Sequence, residues 1–498
     1  MKLTQDYIQK LFLRFKEKAM KSLKRGHIDV ALRYLKAASY TAYTFYIGFT
    51  DSEIESMLKD ISLRLRRTGE NVPLINRCVF YDTFSQDAQG LTMQYVDAII
   101  AAGWEMLYVT EFDLNDPRSV RLKKTLDDYP KAKIVSIPRD LKGLAKVQMV
   151  YDTIMNYTPD KLFMHIHPSA VEAVAAFYAL PQGITKYQIN LTDHTYWVGA
   201  GCVDYSFEFR EYGASLSVGR RGIPRDRMLL MPYYPMMKSM PFEGFPKEVE
   251  NKVIIFSGAS FYKIIDEHDT FFKLNKAILD ANPNAVTLFA GGGDISMLNG
   301  LIEKYGLQGR FIPIGHRNDV YECFKHSDIY LSTFPYYGAL MAQFAAHASL
   351  PILAYAESTS GRVEEVVCQK HKDEISFMNT DALVGESIRL VNDKIYREQR
   401  GQDIRKCVID KDEFNRVFKL SVNLGTSQYH IEIEEEIPLH YLSVIDKLKL
   451  ERTSKVFART VYHILDFYGI FICPQLWVDG LLARVRLSRI GSMLIKQG

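Results

Sequence analysis

The chain has 498 residues, 47% of them hydrophobic and 24% charged, with a net charge of +3. That length holds roughly two to four domains of about 150 residues each, and the near-neutral balance argues against a nucleic-acid partner. Six cysteines (Cys78, Cys202, Cys323, Cys368, Cys407 and Cys473) without CxxC spacing exclude a disulfide framework and a zinc site and point to a reducing compartment.

Charges run through MKLTQDYIQKLFLRFKEK, unlike the apolar region of a signal peptide, and no apolar run approaches the ~20 residues of a bilayer span. The reading is a cytoplasmic protein. Residues 1–70 read as a helical extension. The stretch GHIDVALRYLKAASYTAY has small and apolar residues at helical spacing, with Asp29 placed to cap the helix that follows. One such hairpin resembles a tetratricopeptide unit, but no second copy follows, so a helical lid packed on the next domain is expected.

From Asn71 the period changes. Apolar runs at Cys78–Tyr81, Glu105–Thr110, Lys133–Ile137, Lys161–Ile166 and Tyr187–Leu191, with a helix at Leu91–Ala102, predict a parallel α/β domain over 71–240. Its Pro- and Met-rich end, Tyr233–Pro246 (YYPMMKSMPFEGFP), reads as a linker. Runs at Val253–Phe256, Val286–Ala290, Arg310–Ile314, Ile329–Ser332 and Pro351–Tyr355 predict a second α/β domain over 247–410. The segment 411–498 is mostly helical. Its end, YHILDFYGIFICPQLWVDGLLARVRLSRIGSMLIK, mixes aromatics with Arg484, Arg486, Arg489 and Lys496. Two readings of that tail stay open: peripheral contact with an anionic membrane face, and a helix returning onto the first domain.

Doubly wound sheets bind ligands outside the carboxyl ends of their strands. Lys263 follows the first strand of the second domain, where a loop cation meets an anionic ligand or pairs with Asp266 or Glu267. Gly291, Gly292 and Gly293 end the second strand in a tight turn. Gly338 opens a helix whose free backbone N–H groups and dipole favour a phosphate. In the first domain, Asp193 and His194 lie just past a strand end; His194 is a base oriented by Asp193, a ligand contact, or a structural hydrogen-bonder. His165 and His167 (MHIHPSA) alternate on a strand and face opposite sides, which argues against a metal pair. Arg220 and Arg221 read as a surface turn. Two such domains across a cleft suggest the GT-B architecture of nucleotide-sugar glycosyltransferases, an analogy of fold that leaves function to the site.

Residues from Val253 to about Val367 resemble the catalytic domain of the O-GlcNAc transferase-like glycosyltransferases of family 41. The segments FYKIIDEHDTFFKLNKAILDANPNAVTLF, STFPYYGALMAQFAAHASLPIL and SGRVEEVV carry the resemblance, and YDTFSQDAQGLTMQ carries a weaker one in the first domain. The resemblance implies that Lys263 stabilises the charge left on a diphosphate, worth about 4 kcal/mol at ~4 Å and an effective dielectric near 20, before desolvation. It places Asp87 where the family has a catalytic-site histidine, and a carboxylate can take an acceptor proton. Family residues that touch phosphate fall on Ala339, Leu340 and Met341, and the ribose-holding acid falls on Phe344. The phosphate is then left to the backbone at Gly338, Ala339 and Leu340, and the ribose to Gln343. The glutamate pair of retaining enzymes would fall on Pro335 and Gln343 and is absent, which favours inversion. Glu357 and Glu365 lie after a later strand and receive no role; Arg362 is placed to meet a nucleotide or a carboxylate.

The expectation is a metal-independent, inverting hexosyltransferase. It takes a nucleotide sugar, a UDP-sugar, as donor and a protein, lipid-linked glycan or polysaccharide as acceptor. It needs no further cofactor and is open to homo- or hetero-oligomer assembly. The rival is a non-catalytic, degenerate subunit that binds glycan or stabilises an active partner, motivated by the apolar residues at Ala339, Leu340, Met341 and Phe344. A GT-B epimerase or phosphorylase is the third reading.

Overall fold

The computed structural model describes residues 5–67, 72–87, 91–237, 240–357, 361–370, 373–434 and 478. The end of the FSQDAQG loop, Ser360 of SGRVEEVV, and the basic, aromatic tail with its two readings lie outside the described residues. The chain divides into two compact units. One holds Met1–Glu208, Gly213–Leu230 and the chain from Phe418 onward; the other holds Phe209–Tyr212 and Met231–Val417.

The first unit begins with three helices, α1 (Gln5–Lys24), α2 (Ile28–Phe45) and α3 (Ser52–Ser62). A parallel α/β series follows: β1 (Leu74–Asp82), α4 (Thr92–Ala102), β2 (Glu105–Thr110), α5 (Val120–Asp127), β3 (Ala132–Ser136), α6 (Gly143–Tyr157), β4 (Pro159–His165), α7 (Val171–Ala179), β5 (Thr185–Ile189), β6 (Tyr205–Glu208), α8 (Glu211–Arg221) and β7 (Met228–Leu230). The seven strands are ordered β3-β2-β1-β4-β5-β6-β7. The order reverses between β1 and β4, so their carboxyl ends form the switch point at which such sheets take ligands.

Buried parallel strands carry continuous apolar runs, and β1 shows the rule: Cys78–Asp82 is wholly buried. β6 (YSFE) and β7 (MLL) were not expected from sequence; segments that short show no period. The N-terminal helices share one core with the sheet's helical layer. Leu11, Phe12, Leu35, Ile54 and Leu58 pack in the same cluster as Val150, Ile154, Val174 and Phe177. Asp51 caps α3, its carboxylate accepting the N–H groups of Glu53 and Ile54. Asp29 does not cap its own helix. α2 starts at Ile28, so Asp29 already lies in the first turn, and its carboxylate accepts the N–H of Leu144 at the start of α6, at 2.8 Å.

The second unit holds β8 (Val253–Gly258), α9 (Thr270–Ala281), β9 (Ala285–Ala290), α10 (Ile295–Lys304), β10 (Phe311–Gly315), α11 (Val320–Lys325), β11 (Ile329–Leu331), α12 (Ala339–His347), β12 (Ile352–Tyr355), α13 (Glu364–Val367), β13 (Ser376–Phe377), α14 (Thr380–Asn392) and α15 (Lys394–Cys407). Its six strands are ordered β10-β9-β8-β11-β12-β13, with the switch point between β8 and β11. Alternate residues serve opposite faces. Ile255, Phe289 and Leu353 share a core with Ile278 of α9 and Leu383 of α14, whereas Phe256, Leu288 and Ala354 share one with Ala345 of α12 and Ile404 of α15. Among the described residues no helix is long and apolar enough to cross a membrane.

The last helix, α16 (Lys411–Leu424), starts in the second unit and ends in the first. Phe418 is wholly buried in the first unit, its ring 5.3 to 5.7 Å from those of Tyr95, Trp104, Phe163 and Phe207. Truncating such a ring removes its transfer energy and leaves a cavity. Phe418→Ala is expected to destabilise the first unit by about 3–5 kcal/mol. Urea unfolding read out by tryptophan fluorescence measures this, since Trp104 reports on the same cluster.

Candidate functional site

The switch point of the second sheet brings together the loop after β8 and the turn before α12. A short 3-10 turn, Phe261–Ile264, carries Lys263. The Lys263 carbonyl accepts the N–H of Tyr336 at 3.4 Å, two residues before Gly338. Gly338 is the N-cap of α12, and no side chain caps that helix. Its first N–H groups therefore have no intrahelical acceptor, and the positive end of the helix dipole lies beside the lysine loop.

The Lys263 side chain is half-buried, and among the described residues it has no hydrogen bond or ion pair. Burial holds its ammonium below the ordinary lysine range. Of the carboxylates expected from sequence as partners, Asp266 is bonded to Thr270 through both that residue's N–H and its hydroxyl. A desolvated cation without a counter-charge is poised for an anion. Gly291 and Gly293 make the loop's close approach possible. A Cβ on Gly291, where φ is +157°, would lie 1.9 Å from the Ala259 carbonyl oxygen, and one on Gly293 would lie 2.6 Å from the Phe261 ring. These glycines are thus used to dock one loop on another.

Gln343 is buried in α12. Its amide donates to the carbonyls of Tyr233 (2.7 Å) and Val366 (3.2 Å), and its Oε1 has no partner among the described residues. Phe344 packs with Tyr321 and Phe324 in the core below, and Leu340 is exposed. Arg362 is exposed, its guanidinium 3.6 Å from the Met378 sulfur. Glu364 is structural, accepting the N–H groups of Ile375 and Ser376. One neighbour escaped the sequence reading. Arg210 is buried, stacks on Tyr212, donates to the hydroxyl of Tyr337 and lies 3.5 Å from Glu365. A segment so far from α12 in sequence offered no signal.

In the first unit, His194 follows β5. Its Nδ1 is 3.0 Å from the carboxylate of buried Asp193. The carboxylate can only accept, so Nδ1 carries a proton, and the tautomer this fixes for the uncharged ring has its lone pair on Nε2. Arg221 is not on a surface turn. It is buried, donates to the carbonyls of Asp193 and Thr195 at 2.7 Å each, and stacks on Trp197 and Phe49, so it fixes the His194 loop. Arg220 is exposed. Asp87 lies at the switch point of the first sheet, but its two oxygens accept the N–H groups of Arg121 (3.0 Å) and Leu122 (2.8 Å) at the start of α5.

His165 and His167 do not face opposite sides of a strand. β4 stops at His165, and the chain turns before His167. Both rings then meet Phe84, at 4.8 and 6.5 Å. His165 is wholly buried, its Nδ1 3.0 Å from Asp82, which also accepts hydrogen bonds from Thr92 and Tyr108. Burial pushes His167 down to about 4. The folded chain therefore leaves it neutral where the unfolded chain, at about 6.5, binds a proton. The stability it contributes is complete above about pH 6.5 and is lost as the pH falls towards 4, on the order of 3 kcal/mol in all. In His167→Gln the acid limb of a plot of urea midpoint against pH is expected to be shallower than in the native chain; an unchanged limb counts against burial of this imidazole.

No protein-family model matches the chain, and no curated protein matches it by sequence. Solved structures do. An O-GlcNAc transferase of Thermobaculum terrenum, solved as a mutant, superposes with a TM-score of 0.50 at 14% identity, over 84% of this chain and 83% of that one. TarM of S. aureus superposes with a TM-score of 0.50 at 9% identity, over 70% and 99%. HepE of Anabaena, solved with UDP and glucose, gives a TM-score of 0.48 at 13% identity, over 70% and 99%. At such identities the likeness is one of fold, and with two parallel Rossmann-like sheets of seven and six strands the chain has the GT-B glycosyltransferase fold.

Proposed function

We propose that this chain is a glycosyltransferase that moves a sugar from a nucleotide sugar, a UDP-sugar, to an acceptor hydroxyl, with inversion and without a metal. The observation that carries this reading is the half-buried Lys263, unpaired among the described residues and bonded through its backbone to the turn that opens α12. The second unit holds the donor. The diphosphate lies on the N–H groups at Gly338, Ala339 and Leu340 and on the Lys263 ammonium. Gln343 is the residue of α12 left for the ribose, which reaches its unpaired Oε1 only once that buried atom is uncovered, and Arg362 meets the outer part of the nucleotide. The acidic ribose contact of the resembling family has no counterpart, because Phe344 faces the core.

The first unit supplies the base. His194 Nε2 takes the proton of the acceptor hydroxyl while Asp193 steadies the imidazolium. The acceptor oxygen attacks C1 of the sugar, the bond from C1 to the diphosphate oxygen breaks, and the electron pair leaves with the diphosphate. Lys263 and the helix start stabilise that charge more than they do in the bound donor, which is where rate is gained. Asp87 was the other candidate base. Both its oxygens are held by the start of α5, so we assign it the positioning of its loop.

The test is UDP release from a panel of UDP-sugars. Lys263→Ala is expected to lower turnover about 100-fold or more, and His194→Ala to lower it by a similar factor while leaving UDP affinity unchanged. Micromolar UDP binding with no turnover on any sugar would favour the non-catalytic subunit, as the apolar side chains of α12 suggest. Absence of both binding and turnover sinks the proposal.

Binding also has a pH signature. The free protein gives up the Lys263 proton below the usual 10.5, and a bound diphosphate holds it on. UDP affinity is expected to fall as the pH rises through that depressed value. Proton uptake on binding, seen as buffer-dependent calorimetric heats, accompanies the fall. Lys263→Arg removes this dependence, since guanidinium does not titrate there.

A further inference from the structure

At the switch point of the first sheet lies a set of rings that neither the base nor the donor site uses. Tyr40 and Tyr43 lie in the last turns of α2, and Tyr46 closes that helix in a left-handed conformation (φ 55°). The His167 ring stacks on Tyr40 at 6.1 Å, meets Tyr43 edge-on at 5.1 Å, and lies 6.5 Å from Phe84 beyond β1. Tyr46 lies 5.7 Å from the His194 ring beyond β5. The Thr195 hydroxyl donates to the Tyr43 carbonyl at 3.1 Å and ties the helix end to the His194 loop. All six rings are half-buried.

The polar groups of this edge are neutral. The Ser169 N–H donates to His167 Nδ1 at 3.2 Å, so the proton of the neutral ring is on Nε2. That N–H has no partner among the described residues. The nearby cation, Lys36, is paired with Glu172 at 3.3 Å. The backbone donors here are also occupied. The Thr83 N–H bonds the His165 carbonyl, the Phe84 N–H bonds Asp82, and the His167 N–H bonds the Thr83 hydroxyl. Side chains are on offer and peptide-binding backbone is not.

We propose that this aromatic edge is an acceptor subsite and that it takes a neutral sugar ring rather than a peptide. Its role as an acceptor subsite rests on the transferase reading above; its affinity for sugar does not. A pyranose has an apolar face of C–H bonds and a rim of uncharged hydroxyls. The face lies on Tyr40 and Tyr43, a ring hydroxyl accepts from His167 Nε2, and the hydroxyl at the Tyr46 end is left to His194. Such sites join aromatic area to a few placed polar groups.

The experiment uses the full chain and saturation-transfer NMR with cellobiose, lactose, chitobiose and a neutral Ser/Thr-containing octapeptide, while calorimetry follows UDP. At least one disaccharide is expected to bind through the protons of one ring face. Tyr43→Leu is expected to weaken that binding about five- to tenfold, Tyr43→Phe to retain it, and both to leave UDP affinity unchanged. Should Tyr43→Leu fail to fold, Tyr46→Leu at the helix end reads the same loss. UDP binding without any disaccharide binding overturns the subsite and leaves the transferase reading intact, as does binding of the octapeptide alone. Disaccharide binding without UDP binding upholds the sugar site and removes the donor reading.

Discussion

An ammonium group held partly out of water, with no carboxylate to meet it among the described residues, is the constraint on which the rest of this molecule turns. Desolvation without compensation is unfavourable, and folded chains avoid it unless a ligand supplies the missing charge. Lys263 is kept in that state by its surroundings. Its turn is bonded to the residues that open α12. The preceding loop is pressed against the end of β9, where only glycine fits at position 291. The uncapped helix start faces the same need, because its N–H groups lack acceptors. Two incomplete electrostatic groups lie at one switch point, and the proposed diphosphate would satisfy both together.

The first unit meets the opposite demand. Its switch point is filled by a buried polar network in which Asp82 collects hydrogen bonds from His165, Thr92 and Tyr108. These bonds to the buried carboxylate stiffen the ends of β1 and β4, and His165 Nε2 is left buried without a partner among the described residues. The groups we propose for the acceptor lie outside this network, where α2 delivers its tyrosines and the β5 loop delivers His194. Arg221 keeps that loop in place, with planar donors on two carbonyls and its faces on aromatic rings. The proposed donor end is thus defined by what it lacks, and the proposed acceptor end by rigid side chains.

Much of this was legible in the residues. Apolar runs marked ten of the strands, because strands buried on both faces, such as β9, need apolar side chains at nearly every position, while the edge strands β3 and β10 are only partly buried. Lys263 and Gly338 stood out because their chemistry follows from local order: a loop after a first strand, and a helix start. The short strands β6, β7 and β13 carried no period to read. Asp29, Asp87 and Arg221 were placed by near neighbours in sequence, whereas their partners are Leu144, the start of α5, and the Asp193–Thr195 carbonyls.

The amino-acid order by itself determined the alternation of strand and helix, and hence two doubly wound sheets whose carboxyl ends receive ligands, because hydrophobic period and turn chemistry act over a few residues. Only the tertiary structure decided which polar groups were consumed in holding the fold and which remained for a ligand. Asp87 is tied to a helix start, while Lys263 is left without a partner among the described residues and Gln343 keeps one buried oxygen unpaired. Burial and pairing are set by segments far apart in the chain, and those two quantities decide whether a titratable side chain is scaffold or site.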